Sequence, residues 1–142
     1  SSGTCIIHVP VGTLFRSNKE TSALRKFLIE ENLLSGIVAL KPKIIPSTSI
    51  QTCILILEKR GSDSVRKSSR GVFMMDCSEY EGIKKKNFYA LSKHEISSIV
   101  DAYTDWHDKS ATSSVDLPPN CKVITAEDII ENDYNLMPNR YL

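Results

Sequence analysis

The spacing of three apolar segments predicts an α/β fold with a mixed sheet. Residues 4–9 are a short, apolar, β-branched run that Pro10 ends, which predicts a buried strand, and residues 36–40 are a second apolar run. A helical pattern lies between them, and a strand, helix and strand in about 36 residues form a βαβ unit with two parallel strands. Residues 52–57 follow too closely for a second crossover helix, so we expect this strand to run antiparallel.

The helix of this unit is expected to begin at a cap formed by Ser17 or Asn18. Leu24, Phe27 and Leu28 recur at helical spacing and predict an apolar stripe. The charged residues of the same segment are expected to be mostly solvated, and they are Glu20, Arg25, Lys26, Glu30 and Glu31.

A second helix is predicted by the capping-box pattern of Ser92 and Glu95. Its apolar residues fall at helical spacing and are Ile96, Ile99, Val100 and Tyr103. Trp106 and Tyr103 are expected to help seat this helix on the sheet. The remaining segments are a polar, basic loop at 58–70, a strand at 71–77, a polar linker at 109–120, a strand at 121–124 and a helical turn begun by Thr125-x-x-Asp128.

The composition indicates one ordinary domain. A chain of 142 residues is long enough for a sizeable core. The net charge of +1 excludes a protein that grips nucleic acid over its whole surface, so any contact with DNA must be local.

The four cysteines argue for a reducing environment. Cys5, Cys53, Cys77 and Cys121 lie far apart and form no C-x-x-C pair, so no zinc or redox motif is expected. We predict that they are buried, reduced thiols, which implies a cytoplasmic protein. The longest apolar run is far shorter than the roughly 20 residues that cross a bilayer, so no transmembrane helix is expected.

Three motifs resemble those of bacterial DNA adenine-N6 methyltransferases. They are VPVGTLF at 9–15, LRKFL at 24–28 and IQTCILILEK at 50–59. Their order is similar to that in the carboxyl half of the modification subunit of type I restriction-modification systems. The ending, EDIIENDYNLMPNRY at 127–141, resembles the terminal motif of the same subunits. We expect it to seal the domain; the alternative is that it precedes a helix that docks on the specificity subunit.

The resemblance implies the carboxyl half of a Rossmann-like, S-adenosylmethionine-dependent methyltransferase fold. In that fold an antiparallel strand inserts between two parallel strands, so residues 52–57 would lie between 4–9 and 36–40. Residues 1–108 would belong to the catalytic domain, and residues 109–142 would be a linker with a terminal strand and helical turn packed on it. The implied partners are DNA and the specificity and restriction subunits.

Two expected motifs are missing from the chain. The glycine-rich turn that binds S-adenosylmethionine does not occur, and neither does the Asn/Asp-Pro-Pro-aromatic loop that holds the adenine. The Pro118-Pro119 pair is followed by Asn120, and no aromatic residue comes next. We therefore interpret the chain as a fragment without catalytic residues or a bound cofactor of its own. The alternative is a noncatalytic DNA-binding or assembly module with a methyltransferase-like fold.

The loops at 10–19 and 41–51 should both open at the carboxyl edge of the parallel strands, where ligands of open α/β sheets collect. The resemblance places them beside a flipped base and the DNA. The candidate base-pocket residues are Pro10, Gly12, Leu14 and Phe15, since an extruded base needs apolar and aromatic surroundings. The alternatives are a tight turn at Gly12 and simple packing of Leu14 and Phe15 under the helix.

The second loop carries groups that suit phosphate contacts: Lys41, Lys43, Ser47, Thr48, Ser49 and Gln51. An ordinary solvated connection is an equally good interpretation. Ile44 and Ile45 stand where the similar proteins commonly have an aromatic residue, which argues against stacking on the base. The charge runs Lys84-Lys85-Lys86 and Arg66-Lys67 are interpreted as solvated surface, with DNA binding as the less favoured alternative.

The histidines are not expected to bind metal. His8 lies in a strand and is expected to be packed or hydrogen-bonded, while His94 and His107 flank a helix without a ligand pattern. If the chain lacks its other half, residues 4–9 should expose an unpaired sheet edge. Such an edge recruits another chain, so we expect self-association there or a rearrangement that covers the edge.

Overall fold

The computed structural model describes residues 3–59, 71–109 and 116–142. In chain order, the strands are β1 (Gly3–Pro10), β2 (Leu34–Ala39), β3 (Thr52–Lys59), β4 (Val72–Asp76), β5 (Ile83–Lys84), β6 (Tyr89–Ala90) and β7 (Cys121–Ile124). The helices are α1 (Lys19–Glu30), α2 (Lys93–Lys109) and α3 (Ala126–Glu131), with 3-10 turns at Val11–Leu14 and Pro138–Arg140.

Five of the described strands form one mixed sheet in the order β1-β3-β2-β4-β7. β3 lies between β1 and β2 and pairs antiparallel with both, so β1 and β2 are parallel to each other. β4 continues the sheet parallel to β2, and β7 closes it antiparallel to β4. The predicted insertion of an antiparallel strand between two parallel strands is therefore confirmed.

β5 and β6 form a separate two-stranded hairpin that we did not predict from the sequence. Each strand has only two residues, which is too short for a period-2 pattern to be recognisable. The expected loop at 58–70 begins later than predicted, because Glu58 and Lys59 belong to β3. The rest of that loop, including Arg66 and Lys67, and part of the 109–120 linker lie outside the described residues.

The core has two layers because the inner strands alternate their side chains across the sheet. Ile37, Leu55 and Met74 pack on one face with residues of α1 and α3. Val38 and Phe73 pack on the other face with Ala102 and Trp106 of α2, among other residues. The ring of Trp106 stacks on Phe73 with centroids 5.7 Å apart, so the expected seating of α2 is confirmed.

Helix α1 begins after Asn18, one of the two predicted cap residues, but the Asn18 side chain forms no capping hydrogen bond, and the helix buries a different face from the one predicted. Leu28 and Ile29 are buried, whereas Leu24 and Phe27 are largely exposed. Arg25, which we expected to be solvated, is only 4% exposed. The predicted apolar stripe was therefore wrong, because the helix turns the Arg25 side chain inward, where backbone carbonyl groups accept its hydrogen bonds.

The capping box of α2 is confirmed. The backbone N–H of Ser92 donates to Glu95 Oε1 over 2.8 Å, and the backbone N–H of Glu95 donates to Ser92 Oγ over 3.1 Å. Ile96 and Val100 are exposed, so the buried face is rotated toward Ala102 and Trp106. At the amino end of α3, the Thr125 side chain accepts from the N–H of Asp128, which confirms the second predicted cap.

Three of the four cysteines are buried as predicted, and Cys5 is the exception. Burial raises the pKa of Cys53 and Cys77 to about 12 and that of Cys121 to about 11, so these thiols are protonated at neutral pH. Cys5 is exposed together with most residues of β1, so the prediction that residues 4–9 form a buried strand was wrong.

We predict that Ser92→Ala lowers the free energy of unfolding by about 1 kcal/mol, because the amino end of α2 loses its cap. Ser97→Ala, on the exposed surface of the same helix, is the matched control and should stay within about 0.5 kcal/mol of the wild type. Chemical denaturation of both variants measures the difference. Equal stability of the two variants would contradict the prediction.

Glu95 should also make stability depend on pH. The N–H of Ser92, above all, and that of Gly82 hold the pKa of the Glu95 carboxyl below its ordinary value, against the effect of burial. A lowered pKa means that the stabilisation is present above the ordinary pKa and is lost as the pH falls through the pKa of the folded protein. Glu95→Gln should therefore lose less stability on acidification than the wild type does.

Candidate functional site

The loops that follow β1 and β2 meet at the carboxyl edge of these parallel strands. The N–H of Val11 donates to the carbonyl of Gln51 over 3.0 Å, and the N–H of Leu40 donates to that of Thr52 over 2.9 Å. The side-chain amide of Gln51 donates to the carbonyl of Leu40 over 2.8 Å. The two predicted loops are thus joined at their bases, at the edge where open α/β sheets place their ligands.

The first loop divides its candidate residues between the core and the surface. Leu14 is fully buried and Gly12 is buried, while Pro10 is exposed and Phe15 is 48% exposed. A tight 3-10 turn follows β1 directly, as that alternative predicted, but Gly12 does not have the positive φ for which glycine is favoured. What Gly12 provides is space: a Cβ there would lie 2.6 Å from Nε of Arg16.

Arg25 fastens this loop to the carboxyl-terminal segment. Its Nη1 donates to the carbonyl of Thr13 and its Nε to the carbonyl of Tyr134, each over 3.0 Å. The N–H of Leu136 adds a hydrogen bond to the carbonyl of Leu14 over 2.9 Å. Burial lowers the pKa of Arg25 and Asp133 raises it in part, but an arginine remains protonated at neutral pH.

The terminal motif adopts an unusual backbone conformation at Tyr134, whose carbonyl group accepts the hydrogen bond from Arg25. Asp133 and Tyr134 have φ values of 57° and 59°, in the left-handed region that non-glycine residues rarely adopt. Arg140 Nε donates to Asn132 Oδ1 over 2.9 Å, and Tyr141 OH donates to the carbonyl of Asn135 over 2.5 Å. The motif at 127–141 therefore packs on this chain and holds the first loop in place.

The second loop is fastened to the β5–β6 hairpin. The N–H of Tyr89 donates to the carbonyl of Lys43 over 2.8 Å, and the N–H of Ser47 donates to that of Asn87 over 3.1 Å. Lys43 and Ser47 have φ values of 68° and 65°. The Lys41 ammonium group lies 4.4 Å from the centroid of the Tyr89 ring, a cation–π contact.

The candidate phosphate-binding residues fall into two groups. Lys43, Ser47 and Ser49 are exposed. Lys41 and Gln51 are half-buried and engaged with Tyr89 and Leu40, as described above. Thr48 is also half-buried, and its Oγ1 accepts from the N–H of Ile50 over 3.2 Å.

His8 and His107 form side-chain hydrogen bonds, and His94 is exposed. Nε2 of His8 is 2.6 Å from Thr52 Oγ1, as expected of a hydrogen-bonded strand residue. Nε2 of His107 is 2.5 Å from Glu58 Oε2, which ties α2 to the end of β3. No group of three potential metal ligands occurs among residues 3–59, 71–109 and 116–142. No helix in these ranges has the length and apolarity needed to cross a membrane.

The sheet order defines the class of protein. A mixed sheet with an antiparallel strand between two parallel strands is the Rossmann-like fold of the S-adenosylmethionine-dependent methyltransferases. The crystal structure of the type I restriction enzyme EcoKI M protein has this fold, with a TM-score of 0.68 at 14% identity over 96% of this chain and 34% of that chain.

The sequence assigns the family. The family described as "N-6 DNA Methylase" matches residues 1–142, and the chain belongs to this family. It is 28% identical over 140 residues to the type I restriction enzyme MpnII methylase subunit of Mycoplasma pneumoniae, which covers 99% of this chain and 23% of that protein. A crystal structure of a type I restriction-modification system methyltransferase subunit from Streptococcus thermophilus gives a TM-score of 0.79 at 32% identity, covering 99% of this chain and 26% of that one.

The chain thus spans about a quarter of the length of the relatives that it matches, since the shares of the methylase subunit and the solved structure are 23% and 26%. Its similarity to the solved subunit extends over nearly all of its own residues. The fold and the family are established by this match.

The described residues do not fit an S-adenosylmethionine site. β1 continues directly into the 3-10 turn Val11–Leu14 instead of a glycine-rich turn. The space that Gly12 leaves is taken by the side chain of Arg16, so it is no cradle for a ligand. No catalytic step through this cofactor can be derived from these residues.

We predict that Arg25→Ala lowers the free energy of unfolding by about 3 kcal/mol, because two carbonyl groups lose a charged donor. Lys26→Ala is the matched control: Lys26 is the exposed neighbour on α1, and its loss should cost less than about 0.5 kcal/mol. Arg25→Lys should fall between them, since an ammonium group lacks the planar fork of the guanidinium group. Overlapping denaturation curves for Arg25→Ala and Lys26→Ala would show that the hydrogen bonds of Arg25 do not stabilise the fold.

Proposed function

We propose that this chain is part of a site-specific DNA adenine-N6 methyltransferase of a type I restriction-modification system. The complete enzyme transfers a methyl group from S-adenosylmethionine to adenine N6 and acts with specificity and restriction subunits in the cytoplasm. The observation that carries this proposal is the family match over residues 1–142, together with the two loops that meet at the carboxyl edge of the sheet.

A noncatalytic role is the second candidate. A DNA-binding or assembly module would retain the sheet and the loops without a cofactor site anywhere in the full-length protein. The longer coding sequence distinguishes the two candidates. A glycine-rich first turn and an Asn/Asp-Pro-Pro-aromatic motif upstream would support the enzyme, and their absence would support the module.

The first loop would border the pocket for the target base. Pro10 and Phe15 are the two candidates with exposed side chains. The ring of Phe15 offers an apolar surface of the kind that replaces the lost stacking of an extruded base. Gly12 and Leu14 would support the pocket without contacting the base. Gly12 leaves room for the Arg16 side chain, and Leu14 anchors the loop in the core.

The second loop would contact the DNA backbone. Lys43, Ser47 and Ser49 are exposed and offer an ammonium group and two hydroxyl groups, which are common phosphate donors. Lys41 and Gln51 would support this surface through Tyr89 and Leu40, and Thr48 through the backbone of Ile50. Such contacts position a duplex without reading its sequence.

We predict that the 142-residue chain alone neither binds S-adenosylmethionine nor methylates DNA. The parts of the relatives that it does not span would carry both functions. Isothermal titration with the cofactor and transfer of a radiolabelled methyl group measure the two activities. The full-length protein is the positive control, and reproducible transfer by the purified chain would reject the interpretation as an inactive fragment.

The loop is tested by Lys43→Gly in the full-length protein. Glycine removes the ammonium group and accepts the positive φ at this position, so the backbone is not strained. The slope of log K against log salt for duplex DNA should become less steep by about 0.9 for one lost phosphate contact. Lys59→Ala, at the opposite edge of the sheet, is the matched control and should keep the wild-type slope. A wild-type slope for Lys43→Gly would favour the alternative interpretation, in which the loop is an ordinary solvated connection.

The edge of β1 would receive a strand from the rest of the enzyme. Within the described residues β1 pairs only with β3, and the Ile6 side chain on this strand is 68% exposed. Its other side therefore presents unpaired backbone donors and acceptors. In the isolated chain we propose that a second copy covers this edge.

We predict that the isolated chain self-associates through β1 and that Ile6→Lys weakens this association, since charge on an edge strand opposes pairing. Sedimentation velocity gives the association state, and amide hydrogen exchange reports protection of residues 5–9. Ile83→Lys, an exposed isoleucine on the hairpin, is the matched control. A strictly monomeric chain with rapid exchange along residues 5–9 would refute this edge as an interface.

A further inference from the structure

The β5–β6 hairpin concentrates positive charge on an exposed turn. Lys84 pairs with Tyr89 across the hairpin, and the N–H of Lys85 donates to the carbonyl of Phe88 over 2.8 Å. Lys86 and Asn87 therefore form the tip. Lys84, Lys85 and Lys86 are all exposed.

The hairpin is held against the second loop at several points. Besides the two backbone hydrogen bonds to Lys43 and Ser47, Asn87 Nδ2 donates to Ser47 Oγ over 3.3 Å. At the base of the hairpin, the N–H of Gly82 donates to Glu95 Oε2 over 3.0 Å. The same carboxylate closes the capping box of α2, so the position of the hairpin is fixed relative to the sheet.

A cleft of about 370 Å³ lies between the loop and the hairpin. The loop lines it with Lys43, Ser47, Thr48 and Ser49, and the hairpin lines it with residues 84–89. This lining contains four lysines and no carboxylate. Four like charges at one cleft repel each other, and an anionic ligand removes that repulsion.

The polar groups of the lining favour phosphates as that anion. Ammonium groups act as point charges toward phosphate oxygens, and hydroxyl groups and amides supply the neutral donors that accompany them. The lysines are exposed on flexible stems, which suits contact with a backbone more than recognition of a single base edge. The cleft also lies on the loop that opens at the carboxyl edge of the parallel strands.

We propose that the β5–β6 hairpin and the 41–51 loop form one composite cleft that binds the backbone phosphates of DNA, with Lys84, Lys85 and Lys86 acting alongside Lys43. This inference rests on the proposed function for the identity of the partner. It reverses the interpretation of the lysine run as solvated surface, because the fold brings that run against a loop about 40 residues earlier in the chain.

The test replaces Lys84, Lys85 and Lys86 by Ala in the full-length protein. Binding to duplex DNA of several unrelated sequences is measured as a function of salt concentration. The slope of log K against log salt should become less steep by about 0.9 for each lost phosphate contact, and by the same amount for every sequence. The triple replacement by Arg keeps the charge and should retain a wild-type slope. Lys59→Ala should also retain it, and equal unfolding temperatures check that the variants are folded.

Methyl transfer separates this inference from the proposed function. Lys59→Ala, which lies outside the cleft, should keep the methyl transfer of the wild type. If the wild type methylates DNA and the triple Ala variant has an unchanged slope, the hairpin is not part of the DNA surface and the inference is overturned alone. A wild type that neither binds nor methylates DNA overturns both.

Discussion

The position of β3 is the constraint on which the rest of the structure depends. Its two neighbours, β1 and β2, are parallel only because β3 pairs antiparallel with each of them. Both strands therefore end at one edge, and the loops that follow them meet there. The hydrogen bond from Val11 to Gln51 closes this junction at the start of β3. Within the described residues β1 has no other strand partner, so a weakened β3 would also release the first loop.

Each loop at that edge is connected to a segment that is distant in sequence. Arg25 connects the first loop to the terminal segment through two backbone carbonyl groups. Glu95 connects the hairpin that supports the second loop to helix α2. Both side chains are charged and form hydrogen bonds with backbone groups. They therefore fix the positions of the connected segments as well as stabilise the fold. The surface loops can therefore present exposed groups to a ligand on a rigid base.

Much of the fold could be predicted from the sequence because its signals are local. The apolar runs predicted the main strands, the short connection between β2 and β3 predicted their antiparallel pairing, and Ser92 with Glu95 predicted the start of α2. The candidate site was predicted less completely. The two loops were identified, but the division of their residues between the core and the surface was not.

The sequence by itself determined that β3 runs antiparallel to β2 and at which edge the loops open, since the short connection between these strands constrains both. The position of β3 between β1 and β2 was implied by the family resemblance of the motifs, and the positions of β4 and β7 were decided by the tertiary structure. Only the tertiary structure decided that Arg25 is buried, that Leu24 and Phe27 are exposed, and that Lys84 to Lys86 lie beside Lys43. The physical reason is that periodicity reports the average polarity of a face. It carries no information about the carbonyl group of Tyr134, which lies 109 residues away in sequence and accepts a hydrogen bond from the buried guanidinium group of Arg25.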